Sequence, residues 1–182
     1  MLLWGLFTRR WSAAARSARA AQRAQRTDAV HSLLAVPVPW VFVLAYLLGV
    51  IVHLLAPLTI RSPKAVALLR WIGLVPLGVG LLIAFTALGL FKRSSTTTVP
   101  FETPTQLVVR GPYRFSRNPM YLGLSLLYVG VAATQGLLWP LFPLPLVIVY
   151  VNRVVIPVEE RRLQEVFGAE YDQYRAKVRR WL

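Results

Sequence analysis

Two short stretches carry the residues whose types and spacing could do chemistry. The first is Gly111-Pro112-Tyr113-Arg114-Phe115-Ser116-Arg117-Asn118-Pro119-Met120-Tyr121-Leu122-Gly123, and the second opens on Glu159-Glu160. Arg114 and Arg117 offer planar forks suited to binding a carboxylate. Tyr113 and Tyr121 offer aromatic faces that attract a cation. Glu159 or Glu160 could take a proton from an amine nucleophile. Each residue also has a plainer role. The arginines can anchor lipid headgroups and the tyrosines can sit at a membrane interface. Asn118 before Pro119 is the pattern of a helix start, a cap followed by proline at the first helical position. Glu159 and Glu160 can pair along one helix with Arg162, as Glu165 can with Arg161.

The elements that position these residues are apolar. The chain has 182 residues and is 56% hydrophobic, above the ordinary ~45–50% of soluble domains. Four runs read as membrane spans, at about 37–56, 65–90, 120–135 and 137–156. The first has the length of one hydrocarbon core. The glycines of the second, Gly73, Gly78, Gly80 and Gly89, would allow close helix approach. Gln135-Gly136 reads as a tight turn, so the last two spans form a helical hairpin. The fold class expected is an all-α polytopic membrane protein of about four transmembrane helices. Residues 35–182 form its membrane domain.

Composition excludes several chemistries. The chain has no cysteine and only His31 and His53, so disulfides, a thiolate nucleophile and a histidine-rich metal site are excluded. The net charge of +14 reads as cytoplasmic-side charge on a membrane protein rather than a nucleic-acid surface. Residues 1–34 form a basic juxtamembrane segment. Arg16, Arg19, Arg23 and Arg26 share one helical face there and suit anionic headgroups; a transit peptide is the competing reading.

Charge also sets orientation. Lys92, Arg93, Arg110, Arg114 and Arg117 fall between the second and third spans, and Arg161, Arg162, Arg175, Lys177, Arg179 and Arg180 follow the fourth. The opposite loops carry little charge. Both termini and both reactive stretches are therefore expected on the cytoplasmic side. After the fourth span, residues 158–182 read as amphipathic tail helices that turn at Gly168, with Tyr171, Tyr174, Val178 and Trp181 on one face of the second.

The pairing of "GPYRFSRNPMYLG" with "PVEERRLQEVFGAEYDQYRAKVRRWL" resembles the two cofactor motifs of the isoprenylcysteine carboxyl methyltransferase and phospholipid methyltransferase superfamily. The similarity covers about residues 92–182. It implies an integral membrane enzyme, here of a bacterial inner membrane, that uses S-adenosylmethionine. It implies cofactor contacts from Gln106, Val108, Tyr113, Asn118, Pro119, Tyr121, Leu122, Gly123, Glu159 and Glu160, with Arg114 and Arg117 in the catalytic roles. The better-known isoprenylcysteine enzymes carry histidine before the proline, where this chain has Asn118. The acceptor implied is lipid-like or prenylated, preferentially an isoprenoid or isoprenylcysteine-type carboxylate. The alternatives are a phospholipid amine, or an NADPH-dependent membrane steroid- or enone-type reductase with a similar tail.

Overall fold

A computed structural model describes residues 37–93 and 106–182. The basic segment with its four spaced arginines, and the polar connector Ser94–Thr98, lie outside those residues. All regular structure among the described residues is helical. Helix α1 is Val38–Leu55, α2 is Pro63–Arg93 and α3 is Pro119–Gln135. A 3-10 turn at Trp139–Leu141 leads to α4, Leu144–Tyr150. A π turn at Val151–Val155 joins α4 to α5, Ile156–Phe167, and α6 follows at Ala169–Lys177. Three helical stretches, Val38–Leu55, Pro63–Leu90 and Trp139–Phe167, are long and apolar enough to cross a membrane. At 17 residues, α3 is about 25 Å long.

Large apolar side chains point outward, as in Leu55 at 81% exposed and Trp71 at 72%. Such surface is unfavourable in water and ordinary against acyl chains. Inside, α2 and α3 pack backbone to backbone. A Cβ on Gly80 would lie 2.7 Å from Leu127 N, one on Gly130 2.5 Å from Leu77 N, and one on Gly73 2.7 Å from the Ala133 Cβ. Small residues make this contact possible, and close approach replaces the hydrophobic drive that lipid removes. Gly78 and Gly89 meet nothing within 4 Å. Of the four glycines of α2, only Gly73 and Gly80 serve the interface.

The Gln135-Gly136 turn forms as the sequence suggests. Gly136 is left-handed at φ 73°, and Leu137 N donates to Ala132 O at 2.9 Å, the six-to-one bond of a Schellman ending. The far end is tied by Tyr46 Oη donating to Gln135 Oε1 at 2.7 Å and Trp139 Nε1 to Ala56 O at 2.6 Å.

Two details of the tail differ from expectation. Pro157 does not separate a span from a tail helix: the chain runs helically from Leu144 to Phe167. Ile156 N donates five residues back to Val151 O, and this wider turn stands where proline's ring and missing N–H disturb ordinary helix bonding. Trp181 is not on the last helix either. That helix ends at Lys177, and Val178 is extended at φ −119°, ψ 131°. The extended end lies against the Gly111–Asn118 segment.

Candidate active site

The segment before α3 is a 3-10 turn, Gly111–Arg114, followed by an irregular run to Asn118. Gly111 has φ 59°, in the left-handed region that glycine enters without a side-chain penalty. Pro119 begins α3, where its missing N–H is harmless. Asn118 does not cap that helix: its side chain makes no cap bond, and Nδ2 donates to Arg180 O at 3.0 Å. The serine two residues earlier serves the local turn, with Asn118 N donating to Ser116 Oγ at 3.1 Å.

The C-terminal end is bound across this segment. Arg117 N donates to Arg179 O at 3.0 Å, and Ser116 Oγ reaches Arg180 O at 3.4 Å. Tyr174 Oη donates to Tyr113 O at 2.8 Å. Tyr171 and Tyr174 are buried, Tyr174 directly against the motif. Burial pushes the Tyr174 phenol above its ordinary range, as it does that of Tyr113, where the neighbouring Tyr174 and Glu159 add to the effect. Both phenols stay neutral, and the Tyr174 donor is preserved.

Glu159 and Glu160 face different partners. Tyr121 Oη donates to Glu159 Oε1 at 2.5 Å. Glu160 sits between two guanidinium groups, with Arg117 Nη1 at 3.1 Å from Oε1 and Arg180 Nη2 at 2.6 Å from Oε2. Its partners come from across the fold, 43 and 20 residues away, and not from the neighbouring turn of its own helix. Arg180 Nη1 and Trp181 Nε1 both donate to Asn152 Oδ1, at 3.4 and 3.2 Å. The π turn thus carries a side chain that holds the tail.

Arg117 is the least satisfied of these groups. Its Nε and Nη1 are buried and lack an aligned hydrogen-bond acceptor, although Nη1 is within ion-pair distance of Glu160. A buried guanidinium with unmatched donors fits a further anionic or polar group.

The structure brings Tyr113, Arg117, Asn118, Pro119, Tyr121, Glu159 and Glu160 to one end of the bundle. Arg114 and Gln106 are exposed, and Val108 and Leu122 are half-buried. Gly123 is explained by packing, since a Cβ there would lie 3.2 Å from Gly80 O. Asn152 and Arg180 carry no spacing signal in the sequence that ties them to the first stretch, and Ser116, inside it, carries none that ties it to the tail. Their long-range contacts join positions 20 to 64 residues apart.

Comparison with known proteins places this arrangement. The family model for phospholipid methyltransferase matches residues 68–170, a span that holds the first reactive stretch and Glu159-Glu160 but not the tail after Glu170. Two rice proteins, from Oryza sativa subsp. indica and subsp. japonica, are each 32% identical to the chain over 141 residues. Those residues are 75% of this chain and 73% of each relative, and both relatives are described as probable protein-S-isoprenylcysteine O-methyltransferase. No solved structure matches the chain. With an all-helical apolar bundle, and with the first reactive stretch and Glu159-Glu160 inside the matched region, this chain belongs to the phospholipid methyltransferase family of membrane methyltransferases.

Proposed function

We propose that this methyltransferase takes its methyl group from S-adenosylmethionine and delivers it to a lipid-like acceptor, preferentially the carboxylate of an isoprenoid or isoprenylcysteine-type molecule. The observation that carries the reading is the half-buried Arg117, ion-paired to Glu160 at 3.1 Å with its buried Nε lacking a hydrogen-bond acceptor, beside the adjacent carboxylates at one end of an apolar bundle.

The residues present fit the cofactor's functional groups. Arg117's free donors suit its carboxylate. Glu159 and Glu160 suit its amino group and ribose. Tyr113 and Tyr121 offer aromatic faces to a cation, and Asn118, Pro119 and Leu122 complete the wall. When bound, the sulfonium supplies a methyl group already activated for transfer.

The protein's task is then alignment and exclusion of water. Arg114, exposed and three residues before Arg117, orients an acceptor carboxylate in this reading. That acceptor is ionised at neutral pH and needs no base. The O-methyl specificity in the relatives' description supports this choice. The family model's own description supports the second choice, a phospholipid amine, for which Glu159 would accept the proton. The charge asymmetry supports four spans with both termini and the site on the cytoplasmic side, the acceptor arriving from the bilayer.

The test is transfer of labelled methyl from S-adenosylmethionine by purified protein in lipid nanodiscs. A prenylcysteine acceptor, phosphatidylethanolamine and no acceptor form the arms. Label in the prenylcysteine arm supports the preferred reading, and label in phosphatidylethanolamine moves it to the amine. Binding of NADPH without binding of S-adenosylmethionine overturns both.

A further inference from the structure

The end of the bundle opposite Glu159 and Glu160 carries a second feature, which does not depend on the methyl-transfer reading. A cleft of about 700 Å³ opens there between the loop after α1 and the first turns of α2, with Arg61, Val66, Arg70, Trp71, Leu74 and Thr134 in its walls. Its size is ordinary for a ligand site.

Among the described residues, no acidic side chain lines this cleft beside its cations. Arg70 lies seven residues into a helix long enough to cross a membrane, about 10 Å from its first residue. A cation at such depth is costly unless it is paired. Among the described residues the first acidic one is Glu159, and Glu159 packs on Tyr121 at the other end of the bundle. The ion pairs of Arg117, Arg175 and Arg180 are with Glu160 and Asp172, at the far end of the bundle. Lys64 adds a third cation between Arg61 and Arg70. Below them the wall is apolar, with Trp71 72% and Leu74 47% exposed.

The geometry points to a binding site for one anionic phospholipid, its phosphate held by the forks of Arg61 and Arg70 and its acyl chain lying along Val66, Trp71 and Leu74. Two guanidinium groups match a phosphate's oxygens, and the apolar wall below them matches a chain. The occupant is a lipid of the bilayer leaflet distant from the Glu159–Glu160 cluster. A free phosphate would leave that wall unused.

Native mass spectrometry of the full chain tests this, after extraction from phosphatidylcholine vesicles with or without phosphatidylglycerol. The parent should retain one phosphatidylglycerol in preference to phosphatidylcholine. Arg61→Gln and Arg70→Gln should each weaken retention about fivefold, and the double variant about 30-fold, from ~1 kcal/mol per cation near a charged lipid surface. The single variants keep the test open if the double variant folds poorly. Arg175→Gln with Lys177→Gln removes equal charge from the opposite end and should change nothing. Unchanged retention in both single variants, an equal loss in the control pair, or displacement by inorganic phosphate would overturn the site.

Discussion

Arg180 grips Glu160 through two nitrogens, Nε to Oε1 at 3.2 Å and Nη2 to Oε2 at 2.6 Å. The residue two places from the C-terminus thereby reaches the carboxylate pair at the end of the apolar bundle. Its backbone carbonyl also accepts from Asn118, so one residue ties both reactive stretches together.

Arg180→Ala should therefore loosen the tail and the motif at once. The expected loss is about 1–3 kcal/mol, the scale of a hydrogen bond to a charged group. Hydrogen exchange should rise in 178–182 and in 113–118 together. A rise confined to the last five residues would show that the motif holds its shape alone.

Tyr121→Phe removes the donor to Glu159. Leaving a buried carboxylate short of a donor costs about 1–3 kcal/mol. Thermal stability in detergent should fall, and if Glu159 holds the cofactor, S-adenosylmethionine affinity measured by calorimetry should fall with it. Stability and affinity both matching the parent would sink the contact's importance.

Glu160→Gln tests the other carboxylate. It removes the charge that pairs Arg117 and Arg180, so S-adenosylmethionine binding should weaken by about 1–3 kcal/mol. Calorimetry showing an unchanged affinity would confine Glu160 to holding the tail.

Arg117→Lys keeps the charge but loses the planar fork. S-adenosylmethionine affinity should fall together with turnover, as expected of a group that holds the cofactor's carboxylate. The readout is labelled methyl transfer beside a thermal-shift measurement. A folded variant with parental turnover would make Arg117 a structural ion-pair partner only.

Gly130→Val and Gly78→Ala should part company. The first puts side-chain atoms onto the Leu77 backbone, where the Cβ already lies 2.5 Å from N, and should abolish a monodisperse folded product. The second meets open space and should be neutral or stabilising by up to about 1 kcal/mol from helix propensity. Size-exclusion profiles and melting temperatures give the comparison.

What the sequence by itself determined is the framework of apolar helices, the Gly136 turn and the identity of the two reactive stretches. These follow from local composition: apolar run length, glycine conformation, and proline and charge at span boundaries. Arg117, Tyr121, Glu159 and Glu160 could be picked out because charge and aromatic hydroxyls at the end of an apolar run are conspicuous there. Only the tertiary structure decided how they pair. Local helical pairing with Arg162 was open to the two glutamates, yet Arg117 and Arg180 hold Glu160, because the tail leaves its helix at Lys177 and returns across the motif. Asn118 carries a cap's sequence pattern and instead binds the Arg180 carbonyl, because the extended tail returns alongside it. Gly73 and Gly80 serve the α2–α3 contact while Gly78 and Gly89 face open space, a choice made by which side of α2 meets α3. Pairings between positions tens of residues apart depend on chain path, and no local periodicity encodes that path.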